Sequence, residues 1–171
     1  MAIDQWWNFF YLCGSAAVTL TGLTFVAVTL GVTIIKKENM DKVNVFFSPI
    51  CFHFLHVFFL CCLTAIPGAS PQLLAAGTIL SAVWRLASMP KAFSVVHTLA
   101  QNDGADIDHS DWVTIVLIPT TVYFGLIAAG VGFLSGKPWA VDALALSCLV
   151  LLLGSAKGAW DTVLWVAASV R

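Results

Sequence analysis

The stretch 139–170, WAVDALALSCLVLLLGSAKGAWDTVLWVAASV, sets the class of this chain. It exceeds the roughly 20 residues that a helix needs to cross a hydrocarbon core of ~30 Å. Its apolar residues are continuous rather than alternating, which makes it a helix and not a barrel strand. Lys157 and Asp161, four residues apart, sit deep inside it. Charge inside a lipid-spanning segment is expensive, so such groups face a protein interior or a water-filled cavity, or pair with one another. The surroundings of Lys157 and Asp161 are therefore a first candidate for a working region.

The whole chain shares this character. Of 171 residues, 60% are hydrophobic and 10% charged, against roughly 25% charged in soluble domains. Net charge is −1, and Lys and Arg never form a basic stripe. Nucleic acid is excluded as a partner on that ground. The cysteines (Cys13, Cys51, Cys61, Cys62, Cys148) all fall in apolar runs without a C-x-x-C and read as small hydrophobes. G-x-S-x-G, H-E-x-x-H, Walker and Cys/His box motifs are all missing, so no enzyme is expected and no cofactor is implied.

Five stretches read as spans: 9–35, 49–66, 72–89, 112–134 and 139–170. Ser48-Pro49 reads as the N-cap and first turn of the second. Pro90 ends the third, with helix able to resume through 91–99, and Ser110 or Asp111 caps the fourth. The first is too long for a signal-peptide core and lacks a basic leader, so it is expected to stay in place. Lys36, Lys37 and Lys42 follow it, which puts that loop in the cytoplasm by the positive-inside rule. Alternation then gives an N-out, C-in topology with external turns at 67–71 and 135–138. Trp6, Trp7, Trp139, Trp160 and Trp165 fall near the interfaces that indoles prefer. The expected fold is an all-α bundle of five transmembrane helices in one domain.

At ~1.5 Å per residue, His53, Arg85, Lys157 and Asp161 all reach the inner third of the membrane, on three different helices. His56 shares the face of His53 at i, i+3. These residues form either a polar layer or inner mouth, with Asp161 balancing Lys157 or Arg85, or a self-neutralising pair beside snorkelling cations.

On the first span Ser15, Thr19, Gly22, Val26, Thr29 and Thr33 repeat at 4-3-4-3-4 spacing, on one helix face. Ala17, Thr21, Thr24, Val28 and Gly31 form a neighbouring row. Small and hydroxylated faces serve close helix packing or a water-lined pore wall. Gly154 with Gly158, Gly125 with Ala129, and Ala128 with Gly132 are further small-residue pairs for packing.

His53, His56 and Cys51 raise haem or copper, but the other histidines, His97 and His109, fall at or beyond the cytoplasmic surface. No metal is expected. The acidic loop 102–111 does not follow EF-hand spacing and reads as a solvated turn. Pro119 is expected to kink the fourth span, with Thr120, Thr121 or Tyr123 satisfying freed polar groups.

Three stretches together resemble a group of small bacterial inner-membrane proteins with no established activity. They are 17–28 (AVTLTGLTFVAV), Ser48-Pro49 with His53-Phe54, and Ala159-Trp160-Asp161. Asp111-Trp112, Pro119 and Tyr123 are similar as well. The resemblance implies the bundle architecture and an inner-membrane location. It also singles out His53, Tyr123, Trp160 and Asp161, whereas Lys157 departs from the group's pattern, where an uncharged polar residue stands.

The sequence therefore leads to a homo-oligomeric channel or pore-like protein in a lipid bilayer. Its hydroxyl stripe would line or pack the ring, and its polar layer would form the inner mouth. An accessory subunit docked on other membrane chains is the alternative, and a haem- or metal-handling protein the third reading.

Overall fold

A computed structural model describes residues 5–32, 40–102 and 117–168. Among the described residues there are five helices and no strand: α1 (Trp7–Val32), α2 (Met40–Thr64), α3 (Pro71–Asn102), α4 (Ile118–Leu134) and α5 (Trp139–Ala168). Trp7–Ala27 and Trp139–Asp161 are long and apolar enough to cross a bilayer, whereas Pro49–Thr64 and Ile118–Leu134 are apolar but shorter.

Two expected boundaries are corrected. Helix α2 starts at Met40 and carries Pro49 in its interior, so Ser48-Pro49 is no start signal. The same dipeptide does start α3: Ser70 Oγ accepts the backbone N–H of Leu73 at 3.2 Å, and Pro71 is the first helical residue. The difference lies in what precedes each pair. Before Ser70 the chain is broken by Pro67 and by Gly68 at φ +69°, while Val45-Phe46-Phe47 before Ser48 continue a helix. Pro90 likewise does not end α3, which runs unbroken to Asn102. An interior proline deletes one hydrogen bond and bends the helix, and the flanking turns carry it through.

The turn from α4 to α5 is set by Gly136 at φ +62°. Its N–H reaches the Phe133 carbonyl at 3.2 Å and the next N–H, of Lys137, reaches Gly132 at 2.9 Å. That is a Schellman closure, which needs a left-handed residue at this position.

Contacts between distant parts of the chain set how the helices pair, and they run α3 and α4 antiparallel. Ile79 early in α3 meets Gly130 late in α4, and Ile50 near the middle of α2 meets Gly158 in the second half of α5. Helices α2 and α5 lie at the centre and pack on each other and on α1, while α3 bridges α2 to α4 and α4 bridges α3 to α5. The result is a four-helix ring, α2–α3–α4–α5, with α1 laid against α2 and α5. Phe54, Val57 and Leu60 of α2, Leu74 of α3, Tyr123 and Leu126 of α4, and Leu144 and Leu151 of α5 fill its centre.

Candidate functional site

Inside this ring one cluster gathers polar groups from three helices, α2, α3 and α4. From α2 come His53 and His56, both buried, and the more exposed Phe52. Helix α3 brings Thr78, Ser81 and Arg85, which share one face at 3-4 spacing. Helix α4 brings Tyr123, with no accessible surface at all. On α5, Ser155 turns inward, 4% exposed.

Tyr123 is the hub. Its hydroxyl oxygen accepts the Nε–H of Arg85 at 3.3 Å. His56 stacks on its ring at 5.4 Å between centroids, and His53 lies tilted against it at 6.1 Å. The Arg85 guanidinium carbon sits 5.3 Å from the Phe52 ring centroid and 5.9 Å from that of Tyr123, within cation–π range of both. Among the described residues no carboxylate pairs with this cation.

Hydrogen-bond arithmetic fixes one tautomer. The Ser81 hydroxyl has a single proton and gives it to the Thr78 carbonyl at 3.1 Å. It therefore accepts from His56 Nε2, also at 3.1 Å, and the neutral ring carries its proton there. Among the described residues three buried atoms find no partner: His53 Nε2, Thr78 Oγ and Ser155 Oγ. Buried polar groups are seldom left so, because an unmade hydrogen bond costs ~1–3 kcal/mol.

The structure divides the expected polar layer. His53, His56, Arg85 and Tyr123 come together; Lys157 and Asp161 do not join them. Lys157 Nζ donates to Asp161 at 2.6 Å, and the two side chains are 60% and 50% exposed. Asp161 thus balances Lys157, not Arg85. The cause is helical phase: Ser155 faces the core, and Lys157, two positions on and about 200° around the helix, faces outward with Asp161 one turn later. The level shifts too. With α2 beginning at Met40, His53 lies near the middle of its helix rather than near its start.

Helix α1 also separates its two rows. Ala17, Thr21 and Thr24 are buried, and the two threonines bond back to the Ala17 and Leu20 carbonyls at 2.7 and 2.6 Å. Ser15, Thr19, Gly22, Val26 and Thr29 are exposed. Thr19 and Thr29 likewise bond back, to Ser15 and Phe25, at 2.9 and 2.8 Å. Thr33 lies outside the described residues, as do His109, Trp112 and all but the first residue of the acidic loop. The kink expected at Pro119 falls at the edge of the described chain: Pro119 is in the first turn of α4, and the Thr121 hydroxyl takes the Leu117 and Ile118 carbonyls at 2.9 and 2.8 Å.

An apolar groove of about 420 Å³ runs between α1 and α2, lined by Tyr11, Ser15, Val18, Phe58 and Cys62 among others. It is separate from the Arg85 cluster. Among the described residues no three metal-ligating side chains converge.

Sequence reasoning missed Ser81, Thr78 and Ser155. The signal was present for the first two, because Thr78, Ser81 and Arg85 fall at helical spacing. Nothing in the sequence marked Ser155 as inward-facing. Compared with protein-family models, curated proteins and solved structures, the chain matches none.

Proposed function

We propose that this chain is a multi-pass protein of a bacterial inner membrane. Its five helices span the bilayer N-out and C-in, and its protomers assemble through α1 into a pore-like ring. What supports the bilayer placement is an inverted distribution of polarity. Large apolar side chains such as Leu12, Leu23, Leu80, Phe124, Leu146 and Leu153 point outward, while His53, His56, Thr78, Ser147 and Ser155 are buried. In lipid that arrangement carries no hydrophobic penalty, and in water it does.

The observation that carries the ring is the α1 row Ser15, Thr19, Gly22, Val26 and Thr29, exposed along its length beside a row that is packed. Within a protomer the bundle centre is filled by Tyr123, Phe54, Leu60 and Leu126, so a water path has to lie between protomers. Small residues let helices approach closely, and back-bonded hydroxyls keep a lone pair for water or an ion.

Two measurements on purified protein test this reading. Native mass in lipid is expected to give a multiple of the protomer; a stoichiometric foreign chain instead favours the accessory-subunit alternative. Planar-bilayer recordings are expected to show conductance that changes on Thr19→Val and Thr29→Val. Silence, or conductance indifferent to both substitutions, ends the pore reading.

A further inference from the structure

We propose that each protomer binds a small monovalent anion at the Arg85–Tyr123–His53 cluster. This site lies within one chain, so it stands apart from the ring formed through α1.

The argument is an excess of donors around an uncompensated cation. The Arg85 Nε–H is used on Tyr123, and no other hydrogen bond engages its guanidinium among the described residues. Four N–H groups of its two terminal nitrogens remain to be satisfied. The Tyr123 oxygen is the acceptor in that contact, which leaves its own proton to donate onward. His53 is only 6% exposed, and its Nε2 has no partner among the described residues; as an imidazole nitrogen it becomes a donor by choice of tautomer. His56, the other ring on Tyr123, is already committed to Ser81. Its stacking and the tilted contact of His53 hold the phenol in place.

No carboxylate stands opposite these donors among the described residues. A cation in an apolar bundle is costly without a counter-charge, and an anion accepting charge-assisted hydrogen bonds supplies one. A single positive charge matches a single negative one. The apolar Phe52 beside the guanidinium gives no further compensation for a multivalent ion. Arg85 is only half-buried, so an ion meets its guanidinium first and the buried Tyr123 hydroxyl and His53 Nε2 behind it.

The test uses the full chain in lipid nanodiscs. The thermal unfolding midpoint is followed while sodium gluconate, too bulky for the site, is replaced by chloride, nitrate or formate at constant ionic strength. At least one small anion is expected to raise the midpoint saturably, as a ligand of the native state does. Arg85→Gln is expected to weaken the apparent affinity tenfold or more and Tyr123→Phe threefold or more, with Lys137→Gln in the α4–α5 turn leaving it unchanged. The proposal is overturned if none of the three anions differs from gluconate, or if the Arg85→Gln titration overlays the wild type. Should Arg85→Gln not fold, Arg85→Lys and Tyr123→Phe decide, and two unshifted titrations overturn it equally. Native mass of the same samples reports the ring independently, so failure of one reading is distinguishable from failure of the other.

Discussion

Arg85 and Tyr123 show how one hydroxyl organises a buried site. The phenol oxygen accepts from Arg85 while its ring supports two imidazoles. Tyr123→Phe keeps the ring and its packing but removes the acceptor. We expect a stability loss of about 1–3 kcal/mol, the cost of leaving a charged donor unsatisfied. Chemical unfolding in gluconate measures it without a bound anion. The Lys157–Asp161 pair behaves differently, since both side chains are half-exposed or more. Asp161→Asn is expected to change stability by less than ~0.5 kcal/mol in the same assay, as exposed i, i+4 pairs do. The contrast between two polar features on one chain is a contrast in burial, and only the three-dimensional packing distinguishes them.

At the scale of elements, the turns and crossings carry their own predictions. Gly136 adopts φ +62° to close α4, and Gly136→Ala places a Cβ where L-residues are disfavoured by ~1–2 kcal/mol. Gly130 sits where α3 crosses α4. A Cβ there meets the Ile79 side chain and comes 3.3 Å from the Ala75 carbonyl oxygen. Backbone cannot move aside as a flexible side chain can, so Gly130→Ala is expected to cost about 1–3 kcal/mol. A methyl group added at Gly22 would meet nothing within 4 Å in the protomer, so Gly22→Ala is expected to leave protomer stability unchanged or slightly raised. Unfolding midpoints of the three variants in one detergent check the order. The helices themselves were readable as five apolar stretches, but two of their ends were not. Ser48-Pro49 and Ser70-Pro71 are the same signal, and the residues before each decide whether it opens a helix or is swallowed by one.

For the whole molecule, the question is what covers the exposed row of α1. If a second copy does, cysteines placed on that row come within reach of each other across the interface. In a Cys62→Ser background, Thr19→Cys and Thr29→Cys are expected to give disulfide-linked dimers on mild oxidation in native membranes. Leu80→Cys, on the outward face of α3 and 69% exposed, serves as the control and is expected to stay monomeric. Dimers from all three positions, or from none, remove α1 as the assembly face. Gel mobility without reductant gives the answer directly.

Composition and continuous apolar runs determined by themselves that the chain is all-α and rich in long hydrophobic helices, because hydropathy and period are local properties of the string. The i, i+3 relation of His53 and His56 and the two rows of α1 were legible for the same reason. The packed structure alone decided which row turns inward, that Arg85 meets Tyr123 from a different helix, and that Asp161 faces away from both. Those outcomes depend on the rotation of each helix about its axis, and that rotation is fixed by contacts between residues far apart in the chain, such as Ile50 with Gly158 and Ile79 with Gly130. Helical phase relative to neighbours is a property of the assembly of elements, and no single element encodes it.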